Sequence, residues 1–351
     1  MSDYAVNRRE HTYPPPYPDG WYRVAASRDI RPGEVRYVEC VGEQIALFRR
    51  TTDGKVAAVD AFCPHQGANL ADGVVKGDRL QCPFHGWQLD GHGRIRSHSC
   101  ADVQPLAHRH WEAIDYYGMI MMYRSARPGT QAPYRLPPLP EIDNRQLVLR
   151  GQYDAGNVDM HIIEFAENSV DFQHFSELHG VMHIPWTNIR LPWIRIRHRP
   201  SWSLDDTREH VSYFGDEATL EIGGRIIDRS RSRALITFLG PGSIVKFDFS
   251  VPRVGDITMF QSHTPVEALK QRVTFRWFAA RRAPRILVSY VVGNWISQWR
   301  QDIAIWQRKI YRPRPSWPMD DGRRGMMHKW YRQFYPDGPV PNLAEDNDDG
   351  S

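Results

Sequence analysis

Two short stretches carry donor atoms at a spacing that suggests chemistry: Cys63-Pro64-His65 and, sixteen residues further on, Cys82-Pro83-Phe84-His85. Each supplies one thiolate and one imidazole, and each is followed closely by a glycine, Gly67 or Gly86, where the chain can turn. Two metal chemistries use such a donor set. A structural zinc takes two Cys and two His in a tetrahedron. A two-iron, two-sulfide cluster takes both thiolates on one iron and both imidazoles on the other. Zinc fingers group the Cys together and the His together, whereas here Cys and His alternate. The pattern favours the iron–sulfur cluster, with Cys63, His65, Cys82 and His85 as its ligands.

A second constellation lies about a hundred residues further on, in Glu167-Asn168-Ser169-Val170-Asp171-Phe172-Gln173-His174-Phe175-Ser176-Glu177-Leu178-His179. Asp171 and His174 are three apart and share a helix face. His174 and His179 are five apart, about 140° round an ideal helix, so both reach one metal only if the helix ends near His179. Gly180 permits that ending. Two imidazoles still lack the carboxylate of a two-His, one-carboxylate iron site. A late helix supplies one. Its apolar stripe is Trp295, Trp299, Ile303, Trp306 and Ile310, and Asp302 falls on it. A carboxylate buried there without a partner costs roughly several kcal/mol. Arg300 and Arg308 fall off that face, so a metal is the better partner and Asp302 is the expected third ligand. Singly, each of these residues has a plain reading as a core histidine or an ion-paired helix residue. The upstream cluster motif is what joins them. His108, His110, His161 and His183 read as structural or solvated, and Glu164 and Glu177 as solvated or supporting groups.

The elements that must position these residues fall into two domains. The chain has 351 residues, 41% of them hydrophobic, enough for two cores. A net charge of +4, scattered along the chain, gives no basis for nucleic-acid binding. Residues 1–20 end in a Pro-rich turn, and Trp21 to Tyr123 is a run of short strands broken by turns, an all-β pattern. Residues 127–142 are a Pro-rich linker. Met160 to Leu178 reads as one helix, then alternating segments (Thr219–Ile227, Ala234–Leu239, Ser243–Val251, Ile257–His263, Val273–Ala280) read as strands, and Leu287 to Tyr311 as a long helix. The expected class is α+β, with a curved antiparallel sheet around the late helix enclosing an apolar cavity. Gly240-Pro241-Gly242 is a strand turn and not a dinucleotide loop, so NAD(P)H must bind elsewhere. Residues 336–351 are acidic and read as a disordered tail. Of the remaining cysteines, Cys40 and Cys100 could pair with each other, and read first as buried free thiols of a reducing compartment. The polar start and the absence of a long apolar run point to a soluble, cytoplasmic protein.

With both ligand sets in view, the chain resembles the oxygenase component of the Rieske non-haem iron oxygenases over nearly its whole length. Respiratory Rieske proteins carry a disulfide at the positions occupied here by Ala68 and Phe84, which excludes that branch. The resemblance implies a Rieske β domain within residues 1–126 and a helix-grip catalytic domain at 143–335. It implies a [2Fe–2S] cluster, mononuclear Fe(II) held by His174, His179 and Asp302, and O2 as co-substrate. NAD(P)H would act only through a separate flavin or ferredoxin-type reductase. It also implies a head-to-tail homotrimer in which Asp171 bridges His174 to His85 of the partner subunit and carries the electron, with Asn168 near the iron. Gln301-Asp302-Ile303-Ala304-Ile305-Trp306 and His328-Lys329-Trp330-Tyr331-Arg332-Gln333-Phe334-Tyr335 are similar to the sterol-processing branch. That branch implies an apolar sterol substrate, with transient membrane contact to collect it. C-4 methyl oxidation is the first expectation, ahead of cholesterol 7-desaturation and ketosteroid 9α-hydroxylation. The rival from another class is a Rieske electron carrier without oxygen chemistry of its own.

Overall fold

Apolar and polar residues alternate through most of residues 147–280, and in the computed structural model this stretch forms one eight-stranded sheet. The structure describes residues 9–97, 108–187, 189–313, 322–337, 340–341 and 343. The strand order is Leu147–Val158, Lys270–Ala280, Gly255–Glu267, Ile244–Val251, Arg225–Leu239, Val211–Ile222, Arg190–Leu204 and Val181–His183. The strand Ile244–Val251 shows how the pattern works. Val245, Phe247 and Phe249 are buried, while Lys246 and Asp248 on the other face pair with each other at 2.6 Å.

Five helices accompany the strands among the described residues: α1 (Pro140–Asp143), α2 (Ile163–Asn168), α3 (Gln173–Glu177), α4 (Arg285–Trp306) and α5 (Arg323–Tyr331). Helix α4 presents Val288, Val292, Ile296, Trp299 and Trp306 to the core shared with Phe247 and Phe275 of the sheet. Gly293 allows Trp186 to lie directly on this helix, because a Cβ there would sit 2.3 Å from the indole nitrogen.

Tyr17–Arg135, with Thr264–Glu267, form a separate compact unit. Here short strands pair in one three-stranded and two four-stranded sheets. Phe48, Val59, Leu70, Leu80 and Leu89 make its core, together with Cys63, Cys82 and Trp87. One four-stranded sheet is Val74–Lys76, Arg79–Gln81, Gln88–Asp90 and Ile95–Ser97, and the Cys82 loop connects its second and third strands.

Several expectations need correction. The helix expected from Met160 to Leu178 is two helices. Ser169 Oγ donates to the Ala166 carbonyl at 2.6 Å, and Asp171 Oδ1 accepts from the His174 amide, so side chains take over the backbone pairing between them. The segment expected as one strand, Thr219–Ile227, is a hairpin turned by Gly223 and Gly224, both at positive φ. Residues 9–16 do not belong with the all-β domain. Arg9 donates to the Trp306 and Lys309 carbonyls at the end of α4, where a cation is favoured. Tyr13 stacks between His161 and Tyr311. The tail is packed at least in part, since Leu343 is only 4% exposed and joins the main core. Residues 344–351 and Cys100 lie outside the described residues, while Cys40 is a buried free thiol. No helix among the described residues is long and apolar enough to cross a membrane.

Leu343→Ala should therefore lower the unfolding free energy by roughly 2 kcal/mol or more, the cost of emptying a buried leucine site. Urea titration of both proteins measures it, and an unchanged midpoint would show that the segment is not packed.

Candidate metal centres and the cavity beside them

The two cluster loops have the same backbone design. The Cys63 carbonyl accepts from the Gly67 amide at 2.8 Å and the Cys82 carbonyl from Gly86 at 3.2 Å. The loops close through Cys63 N–H to Ala68 and Cys82 N–H to Trp87. Both glycines are at positive φ, 72° and 74°, where other residues are strained. This brings the rings of His65 and His85 to 4.6 Å, centre to centre, and lays His65 flat on Trp87 at 4.5 Å. Cys63 and Cys82 are buried and not joined to each other. Burial pushes the Cys63 thiol up to about 11, eased by the His65 amide and reinforced by Cys82. A thiol so shifted is held as a thiolate by a bound cation. His65 Nδ1 is buried with no hydrogen-bond partner. Two thiols and an orphaned imidazole nitrogen at one spot suit the cluster.

The second constellation also assembles. His174, His179 and Asp302 each offer a ligand atom within 4.8 Å of the others, a grouping found at one place among the described residues. Helix α3 stops at Glu177, which frees His179 from the helical angle that would separate it from His174. Gly180 is required there, because a Cβ would come within 2.5 Å of the Ser176 carbonyl. His179 Nε2 lies 3.1 Å from Asp302 Oδ1, with the two side chains 3% and 7% exposed. Arg300 points elsewhere, donating to the Tyr153 hydroxyl at 2.7 Å, so it does not neutralise Asp302. Asn168 Nδ2 is 3.2 Å from His174 Nε2, and Asp171 Oδ2 is 3.7 Å from His174 Nδ1. Burial would raise the Asp171 carboxyl, but the hydrogen bond and charge of His174 and the nearby amides outweigh it and hold it low. The donors match the two-His, one-carboxylate set for iron.

The sequence reading missed the supports of α2. Glu167 is buried and accepts from His328 at 2.6 Å, Tyr311 at 2.9 Å and Arg324 at 3.1 Å. Burial opposes its charge, yet these donors hold it at about 2. Glu164, expected as a solvated or supporting group, is buried, accepting from Tyr13 and paired with Lys309 at 2.6 Å. Two buried carboxylates thus fix the helix that ends in Asn168. Glu177 is exposed, His108 bonds the Asp60 carbonyl, and His161 and His183 are buried structural groups.

A cavity of about 210 Å3 lies between the sheet and α4. Phe214, Ile236, Phe249 and Trp295 line it. Asn294 and Gln298 line it too, two turns and one turn before Asp302 on the same helix face. Phe175, from the wall, lies 5.5 Å from the His179 ring. Through Phe175 and Gln298 the cavity wall shares elements with His174 and Asp302.

Comparison with known proteins fits this arrangement. Residues 20–107 match the Rieske [2Fe-2S] domain, and residues 126–335 match the 3-ketosteroid 9alpha-hydroxylase C-terminal domain. The chain belongs to the Rieske oxygenases of this ketosteroid-hydroxylase type. It is 29% identical to a cholesterol 7-desaturase of Hemicentrotus pulcherrimus, over 95% of this chain and 73% of that protein. It is 26% identical to the oxygenase component of a 3-ketosteroid-9-alpha-monooxygenase of Rhodococcus rhodochrous, over 93% of this chain and 86% of that protein. Pseudomonas putida CBB5 NdmA with caffeine shares the fold at a TM-score of 0.61 and 16% identity, over 90% of this chain and 89% of that one. As a Rieske oxygenase the protein is an oxidoreductase that uses a [2Fe–2S] cluster, non-haem iron and O2, with electrons from a reductase.

Glu167→Gln should destabilise this oxygenase by about 3 kcal/mol at pH 7, since Arg324 and His328 lose their buried counter-charge. A depressed carboxyl contributes stability above its unfolded value and loses it as pH falls. The gap between wild type and variant should therefore hold from pH 7 to about 5 and shrink towards pH 2, as read from urea unfolding at each pH. A gap that does not vary with pH would contradict the pairing.

Proposed function

We propose that this Rieske oxygenase oxidises a C–H bond of a sterol. The observation that carries the reading is a pair of features in one domain: a two-His, one-carboxylate triad and a largely apolar cavity whose wall residue Phe175 lies 5.5 Å from His179. His174, His179 and Asp302 would hold Fe(II), and Cys63, His65, Cys82 and His85 the cluster. The bound metals supply stepwise electron delivery and dioxygen activation. This chain's own residues exclude water and hold the substrate: Phe175, Phe214 and Trp295 present apolar surface, and α4 carries Asp302 one turn beyond the cavity-lining Gln298. The C-4 methyl group is the position first suggested by the sequence. The similarity to a cholesterol 7-desaturase supports C-7 as the second reading.

The reading includes a head-to-tail trimer. Asp171 faces His174 with one oxygen and is about a third exposed, so it can also accept from His85 of the partner subunit. One carboxylate then joins the two imidazoles across the interface.

An aerobic incubation with NADH and a surrogate reductase tests the substrate. Offered a 4-methylated sterol, cholesterol and a 3-ketosteroid, the enzyme should add oxygen to the C-4 methyl group. Loss of two hydrogens from cholesterol would select the second reading, and no product from any of the three would remove the sterol. Asp171→Asn should retain both metals and normal cluster reduction, while reoxidation of the cluster by O2 and substrate slows at least about 100-fold, roughly 3 kcal/mol in the barrier. Reoxidation at the wild-type rate would exclude the bridging role.

A further inference from the structure

Among the polar groups that line the cavity, which include Ser230, Ser232, Arg233, Asn294 and Gln298, one buried pair is joined to each other. His198, on the strand Arg190–Leu204, and Asp216, on Val211–Ile222, both line it. Their partners in register are Ala218 and Pro200, so the two side chains are diagonal neighbours on one face of the sheet. His198 Nδ1 meets Asp216 Oδ2 at 2.7 Å, with the side chains only 7% and 10% exposed. Asp216 Oδ1 accepts from the Arg199 amide at 3.0 Å, which fixes the carboxylate's orientation. The second ring nitrogen, His198 Nε2, is buried and has no hydrogen-bond partner. An unmade hydrogen bond at a buried nitrogen is costly, so a ligand that completes it is favoured.

We propose that His198, oriented by Asp216, is the recognition site for a hydroxyl group on the ring system of the substrate. The proposal rests on the sterol reading above and adds to it the polar group that the cavity selects. Asp216 accepts the proton on Nδ1, which leaves Nε2 of the neutral ring as an acceptor. A hydroxyl donates to it. A charged ring would present N–H instead, and the same hydroxyl can then accept. A ketone oxygen accepts only, so it pairs with the charged ring alone. The pair therefore favours a hydroxysterol over a ketosteroid.

The site also constrains where reaction occurs. Phe175 lies 5.5 Å from His179 and 5.3 Å from His198, so the two imidazole centres are no more than about 11 Å apart. A substrate anchored by its hydroxyl at His198 brings ring carbons near that hydroxyl to the triad. Its alkyl tail lies much further from the same hydroxyl and points away.

Equilibrium binding of cholesterol, its 3-deoxy analogue and its 3-ketone to the purified holoenzyme tests this. Wild type should bind cholesterol at least about ten-fold more tightly than the 3-deoxy analogue. His198→Leu, close in volume, should bind the two equally, with the 3-deoxy affinity unchanged. Asp216→Asn guards against a folding artefact. Its Oδ1 must still accept from the Arg199 amide, which turns its NH2 towards His198 Nδ1 and moves the ring proton to Nε2. That variant should shift its preference towards the ketone. Equal binding of cholesterol and the 3-deoxy analogue to wild type would overturn the anchor and leave the sterol reading intact. An equal loss for both ligands in His198→Leu would do the same. Failure of all three ligands to bind wild type would overturn the sterol reading and the anchor with it.

Discussion

The catalytic domain depends on one costly interaction, the Asp302 carboxylate buried beside His179 in an aromatic core. Trp299 and Trp306 flank it on α4, both almost fully buried, and the nearby Arg300 is engaged by Tyr153. A carboxylate in such surroundings persists only with a positive partner. The surrounding structure serves to bring His174 and His179 to that carboxylate. Helix α3 ends just before His179, Gly180 lets the chain pass close to Ser176, and α2 is fixed from below by Glu164 and Glu167. The lengths of these helices are set by where their side chains must meet.

The cluster loops answer a similar demand with a different solution. Their geometry comes from two glycines at positive φ and from Cys carbonyls that accept amides four residues later. Buried thiols and an orphaned imidazole nitrogen meet at the loop tips. Because these loops are local in sequence, the Cys–x–His and Cys–x–x–His spacings were legible without a structure. The same holds for Asp302, whose place in an apolar helical stripe was itself the anomaly. The stripe, the charge and the misplaced arginines mark it out, and the structure groups it with His174 and His179.

What could not be read in the sequence is what depends on distant pairing. Glu164 and Glu167 look like ordinary helix-surface acids until Tyr13, Lys309, Tyr311, Arg324 and His328 arrive from both ends of the chain. His198 and Asp216 sit on adjacent strands whose register only the folded sheet defines. The split of the expected Met160–Leu178 helix turned on Ser169 and Asp171 capping backbone groups, a local signal that helical periodicity outweighed. The buried Leu343 was hidden by the acidic composition around it.

The most direct test of this account is an iron count on purified protein, wild type against Asp302→Ala, alongside the visible absorption of the cluster. The account requires about three irons per chain in wild type, two in the cluster and one at the triad. It requires about two in the variant, with cluster absorption unchanged. A variant that keeps the third iron would contradict the central claim, because the buried carboxylate would then have no metal to hold.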